Sequence, residues 1–217
     1  MEFELSPEMR QRVFDQIRAA VVKDRAGIHL SDNIYCLRKA YFRKMGLSPQ
    51  PSDELCLLWL TGYAFQAYMF PLDKEITFQV DGIDCTPDIP SGIEVKSTRM
   101  SMGKFDPNNQ LHWQRQILGY CKALNLLEYD LVVMHVAGNY RPPFPDIVCY
   151  RIKTTQEEID FNWQVILENA KNLQEALTSQ TPPVPTCQDW EWEHCENVEL
   201  CPDTACYRKY RMKKTGK

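Results

Sequence analysis

The chain has 217 residues, 44% of them hydrophobic and 25% charged, which excludes a disordered segment and allows one sizeable core plus a small appended module. A formal charge of −4 and a pI near 5.6 exclude nucleic-acid binding driven by overall charge, so any such contact must rest on a local patch. The start Met1-Glu2-Phe3-Glu4 is unlike a signal peptide and no apolar run is long enough to span a bilayer, so a cytoplasmic protein without a membrane partner is expected.

Ser6-Pro7-Glu8 predicts a helix start, with a capping hydroxyl, proline in the first turn and an acid at the positive end of the dipole. Met9, Val13, Ile17 and Val21 follow at helical spacing. After Gly27, Ser31-Asp32 predicts a second helix through Ile34 to Phe42, ending near Gly46. Pro51-Ser52-Asp53-Glu54 starts a third, which runs through Leu55, Leu58, Trp59, Gly62 and Gln66 to Pro71.

The period then changes. Ile76, Phe78 and Val80 alternate as a strand, and Gly82 to Thr98 reads as a β-hairpin turning at Pro90-Ser91-Gly92. Glu94 and Lys96 leave one face of its second arm, and Asp84 and Asp88 share a face of the first. Carboxylates drawn together across such a hairpin repel, and a hard divalent cation with oxygen ligands relieves the repulsion. A lysine beside the cation can hold a water or stabilise charge on a phosphate. Taken alone, alternating charge on a surface hairpin is ordinary.

Asp106-Pro107 begins a further helix carrying Leu111, Gln114, Ile117, Leu118 and Cys121, followed by the apolar strand Leu131 to Val136. Strand, helix and strand make a right-handed crossover, which predicts that this strand runs parallel to the one bearing Glu94 and Lys96. Residues 147–152 read as one more strand, 155–178 as a long amphipathic helix, and Pro182-Pro183-Val184-Pro185 as a linker. The end of the chain carries Arg208, Lys209, Arg211, Lys213, Lys214 and Lys217, read as a solvated basic tail.

Nine cysteines, an odd number, do not suit a disulfide framework in a reducing compartment. Cys36, Cys56, Cys85, Cys121 and Cys149 are scattered among apolar neighbours, and buried free thiols account for most of them. Cys187, Cys195, Cys201 and Cys206 crowd the carboxyl-terminal end and ask for another explanation.

On the crossover helix, His112, Gln116 and Tyr120 stand four residues apart and share one face. With Pro87-Asp88, Glu94-Val95-Lys96 and the order strand, hairpin, helix, strand, they resemble the PD-(D/E)xK nuclease core. Gln116-x-x-x-Tyr120 is similar to the motif of its RecB-like branch. The ends resemble the CRISPR-associated iron-sulfur exonucleases, the fourth of the Cas proteins, and their phage relatives. In those proteins one cysteine lies in an early helix, here Cys36-Leu37-Arg38-Lys39-Ala40-Tyr41, and three lie near the carboxyl terminus, here Cys195, Cys201 and Cys206 with Cys187 in reserve.

The resemblance implies an α/β fold with a restriction-endonuclease-like core, a mixed central sheet flanked by helices, and a terminal module clasped by a [4Fe-4S] cluster. It divides the chain into amino-terminal helices with the first cysteine at 1–50, a nuclease core at 51–180 and a cysteine cluster with basic tail at 181–217. It further implies a DNA exonuclease acting on single-stranded DNA or single-stranded ends, working with CRISPR integration proteins or phage recombination proteins. Asp88, Glu94, the Val95 carbonyl and Gln66 would hold Mg²⁺ or Mn²⁺, with Asp84 the alternative aspartate. Lys96 would position the attacking water, Gln116 and Tyr120 would orient the site, and His112 would touch a phosphate. Arg38, Tyr41, Arg43 and Lys44 are candidates to line a strand-binding groove, with a solvated helix face the favoured alternative for most of them.

Three departures from the family pattern stand out. The terminal cysteines lack a short Cys-x-x-Cys pair, so a structural zinc site using His194 with three cysteines competes with the iron-sulfur cluster. Gln66 stands where a histidine ligand is usual, which leaves open a nucleic-acid-binding protein without catalysis. Asp88 is close in sequence to Glu94, which keeps Asp84 in contention. A zinc-stabilised scaffold with surface carboxylates is the remaining alternative.

Overall fold

A computed structural model of the protein describes residues 6–22, 26–69, 77–87, 92–136, 145–187, 191 and 195–215. Expectations resting on Phe70, Pro71, Ile76, Asp88, Pro90, Ser91, His194 and Lys217 lie outside these residues.

The first helix, α1 (Pro7–Val21), begins as its sequence predicts, with the Ser6 hydroxyl accepting from the Met9 N–H at 3.4 Å and proline in the first turn. It packs against α3 (Asp53–Met69), whose first residue pairs with Arg18 and, at 2.6 Å, with Arg10. Between them lie the short strand β1 (Ile28–His29), a 3₁₀ turn at Leu30–Asn33 and the helix α2 (Leu37–Lys44). The helix expected from Ser31 therefore starts later. The Asp32 carboxylate accepts the His29 N–H at 3.0 Å and is pinned by Lys44 at 2.8 Å and by Arg43, which fixes the 3₁₀ turn and makes Cys36 the N-cap of α2.

Two small sheets follow. In the first, β3 (Ile83–Asp84) lies between β1, to which it is parallel, and β2 (Gln79–Val80), to which it is antiparallel. The second has the order β4 (Ile93–Thr98), β5 (Glu128–His135), β6 (Asp146–Lys153). The expected crossover forms: α4 (Leu111–Leu124) connects β4 to a parallel β5, with Glu94 opposite Leu131 and Lys96 opposite Val133, and β6 returns antiparallel. The two arms of the expected hairpin do not pair among the described residues. Among the described residues β3 pairs with β1 and β2, so the two carboxylate-bearing segments belong to different sheets.

The long helix α5 (Gln156–Ser179) is capped by Thr155, whose hydroxyl accepts from the Glu158 N–H while the Glu158 side chain reaches back. It buries Ile159, Trp163, Ile166 and Ala170 against Trp113, Ile117 and Tyr120 of α4 and Tyr129, Leu131 and Val133 of β5. A second apolar cluster joins Leu37, Ala40, Tyr41 and Phe42 of α2 to Leu173 and Ala176 of α5 and to Cys201. Arg208, Lys209, Arg211, Lys213 and Lys214, expected as a solvated tail, are exposed to solvent on a helix, α6 (Ala205–Thr215). No helix among the described residues is long and apolar enough to cross a membrane.

Gly119 is what lets the 3₁₀ turn press onto α4. A Cβ there would lie 2.6 Å from Cδ1 of Leu30, a buried side chain with little room to move. Gly119→Ala is expected to cost about 1–3 kcal/mol through overpacking, more than the helix propensity of alanine returns. A urea midpoint as high as that of the wild type would contradict this close approach.

Candidate functional site

Strand β4 and helix α4 build one site between them. Alternation along β4 puts Glu94 and Lys96 on the same face, and the Lys96 ammonium lies 2.5 Å from Oε1 of Glu94. The same ammonium donates to Oε1 of Gln116 at 2.8 Å, and the Gln116 amide N–H₂ donates to the Tyr120 hydroxyl at 2.8 Å. Glu94, Gln116 and Tyr120 are buried, Glu94 to 5% exposure. A buried carboxylate beside a half-buried ammonium survives only with partners of this quality, because the carboxylate alone loses several kcal/mol of hydration (order of magnitude). The surface-hairpin reading of these charges is therefore not what the structure displays.

His112 lies one turn before Gln116, its ring 5.6 Å from that of Tyr35. Burial, and after it the positive charge of Lys96, pushes the His112 imidazole down from 6.5 to about 4. The residue is neutral near pH 7 and would meet a phosphate as a hydrogen-bonding group rather than as a cation. Tyr35, which the sequence alone did not single out, borders the same charges: burial raises its phenol, Lys96 opposes that and Glu94 adds to it. Helix α3 crosses β4 at Gly62, where a Cβ would lie 3.5 Å from the Ser97 hydroxyl. Gln66 follows one turn later and is half-buried.

Asp84 is elsewhere. Its Oδ2 lies 3.0 Å from Nδ1 of His29 and its Oδ1 accepts from the Thr86 N–H at 2.9 Å, both within the small first sheet. The favoured aspartate, Asp88, is not among the described residues. Among those that are, no three His, Cys, Asp or Glu side chains converge closely enough to hold a metal ion.

The second assembly is sulfur. Sγ of Cys187 lies 2.6 Å from Sγ of Cys206, and Cys36 lies within electrostatic reach of Cys187, Cys195 and Cys201. Cys187, held in reserve on sequence grounds, thus touches Cys206 and lies near Cys36. Burial pushes the Cys195 thiol up to about 11, against the pull of the Asn197 backbone N–H and the Lys39 charge. Burial also raises Cys201, and the Arg38 guanidinium opposes it. Cys56, Cys85 and Cys121 are buried apart from this group, whereas Cys149, expected to be buried, is exposed on β6.

The segment that carries these thiols is strapped to α2. The Leu37 N–H donates to the Thr186 hydroxyl at 3.0 Å, the Cys36 N–H to Glu191 at 3.3 Å, and Lys39 pairs with Glu196 at 2.9 Å. Arg38 donates to the Pro183 carbonyl at 2.8 Å and to Asp203 at 2.7 Å. Arg38 is therefore buried at 8% exposure and Tyr41 at 3%, and neither lines an open groove as expected. Arg43 and Lys44 are engaged with Asp32.

No protein-family model matches the chain, and no curated protein matches it. Among solved structures, one described as the crystal structure of SSO0001 is similar, with a TM-score of 0.55 and 14% identity over 91% of this chain and 98% of that one. The likeness is one of fold and says nothing of activity.

The depressed His112 sets a pH dependence. An imidazole titrating near 6.5 when unfolded and near 4 when folded contributes stability that is fully present above 6.5 and is lost as pH falls towards 4. Stability measured by chemical denaturation should decline over that window in the wild type and decline less in His112→Gln. Equal slopes in the two proteins would contradict the buried, neutral assignment.

Proposed function

We propose that this chain is a divalent-cation-dependent nuclease of the PD-(D/E)xK type, RecB-like, which hydrolyses phosphodiester bonds in single-stranded DNA or at single-stranded ends. The observation that carries the reading is the continuous hydrogen-bonded chain Glu94, Lys96, Gln116, Tyr120, which runs from a strand to its own crossover helix and is buried except at the half-buried Lys96. The order strand, crossover helix, parallel strand, antiparallel strand supports the same core.

The donor set suits a hard cation. The Glu94 carboxylate, the Val95 carbonyl and the Gln66 amide, with Asp88, offer only oxygen, the preference of Mg²⁺ and Mn²⁺. Such a cation, when bound, polarises a phosphodiester and lowers the pKa of a bound water. Lys96 places a cation beside Glu94, where it can hold a water by hydrogen bond and offset negative charge gathering on the phosphate. Gln116 keeps the ammonium from swinging into solvent, and Tyr120 holds the amide of Gln116 in one orientation. Neutral His112 beside Lys96 adds a hydrogen-bonding group without adding charge.

The terminal thiols supply the donors of a [4Fe-4S] cluster, four cysteine sulfurs that can come from segments distant in sequence, and loading would draw them closer than they stand here. Cys187, Cys195 and Cys201 each lie within electrostatic reach of Cys36, with Cys206 against Cys187. The cluster would join the two ends of the chain, as the straps from Thr186, Glu191, Glu196 and Asp203 to α2 already begin to do.

Labelled single-stranded DNA incubated with Mn²⁺ tests the assignment. The wild type should shorten the strand, a chelator should stop it, and Lys96→Ala should be slower by roughly 10²–10³-fold, the usual loss on removing a group that stabilises developing charge. Equal degradation by wild type and variant would overturn the site, and intact DNA with both would overturn the activity.

A further inference from the structure

Asn197 is a buried amide without a partner among the described residues. It is 1% exposed, and among those residues neither its Nδ2 nor its Oδ1 has a hydrogen-bond partner. Proteins seldom leave a whole side-chain amide unsatisfied, and each such group marks strain or a missing polar neighbour. The position of this one is informative. The Val198 N–H bonds the Cys195 carbonyl at 3.2 Å, the Leu200 N–H bonds the Asn197 carbonyl at 2.9 Å and the Cys201 N–H bonds the Val198 carbonyl at 3.1 Å. Cys195 and Cys201 are thus the two ends of one tight turn, both thiols lie within reach of Cys36, and Asn197 sits inside the turn. The Asn197 backbone N–H is near enough to Cys195 to oppose the rise of its pKa, and the Arg38 guanidinium does the same at Cys201.

We propose that the Asn197 side-chain amide donates a hydrogen bond to a sulfur of the [4Fe-4S] cluster held by these thiols, and so sets its reduction potential. This rests on the cluster reading given above. An N–H aimed at a cluster sulfur stabilises the reduced, more negative state, so it raises the potential, whereas an apolar residue in its place lowers it. Leucine is close to asparagine in size and carries no donor, and serine keeps a donor.

The full-length protein, reconstituted anaerobically with ferrous iron and sulfide, tests this by dithionite titration with redox mediators, which follows the one-electron reduction of the cluster. Asn197→Leu should have a more negative midpoint potential than the wild type, with Asn197→Ser between them. The unloaded Asn197→Leu protein should be at least as stable as the unloaded wild type, because the amide has no partner there; a purely structural asparagine would give the opposite. An unchanged potential in Asn197→Leu would overturn the inference and leave the cluster standing. A wild type that takes up no iron and sulfide, or only zinc, would overturn the cluster reading and the inference with it. Should Asn197→Leu fail to retain a cluster, the reduced wild type labelled with ¹⁵N in the asparagine side chain replaces it. Magnetic coupling of that nitrogen to the cluster supports the assignment, and its absence overturns it.

Discussion

The contact on which the candidate site depends is the Lys96 ammonium held between Glu94 and Gln116. Placing a lysine and a glutamate under cover costs hydration that a single ion pair seldom returns, and truncating either partner alone strands a buried charge at a cost of about 3–5 kcal/mol. The fold meets this cost with geometry. Strand alternation aligns the two charges, the parallel pairing of β4 with β5 fixes the strand, and the crossover helix delivers Gln116 and Tyr120 in register over it. An arrangement this costly in stability is better understood as a site than as a scaffold, since an apolar pair of similar volume would fold at least as well.

The thiol group and the charged site are not separate regions of the chain. Tyr35 borders Glu94, Lys96 and His112, and the next residue, Cys36, is the thiol around which the others gather. The same helix start is tied to the carboxyl-terminal segment through Thr186 and Glu191. Loosening the carboxyl-terminal segment would therefore loosen the residue that borders the charged site.

Much of this was legible in residue order. Helical spacing and caps located α1, α3 and α5, spacing alone located α4, whose expected start at Asp106-Pro107 is a separate 3₁₀ turn, and the strand, helix, strand order implied the parallel β4 and β5 pair. The shared faces of Glu94 with Lys96 and of Gln116 with Tyr120 followed from the periods of strand and helix. Legibility failed where a partner came from far along the chain. The Gly82 to Thr98 segment has the pattern of a hairpin, but β3 finds β1 instead, a pairing no local signal announces. Arg38 looked like a surface cation because its partners, Pro183, Asp203 and Cys201, arrive only when the chain's end folds back. Tyr35 carried no motif at all, and its place beside Lys96 is a product of the tertiary fold.

The most direct test of the central claim is Mn²⁺ binding, followed by electron paramagnetic resonance on the full-length protein without nucleic acid, in wild type and Glu94→Gln. The account predicts saturable Mn²⁺ binding in the wild type that weakens by at least about tenfold in Glu94→Gln, the loss that even an outer-shell partner can produce. Equal binding by both proteins, or none by the wild type, would contradict it.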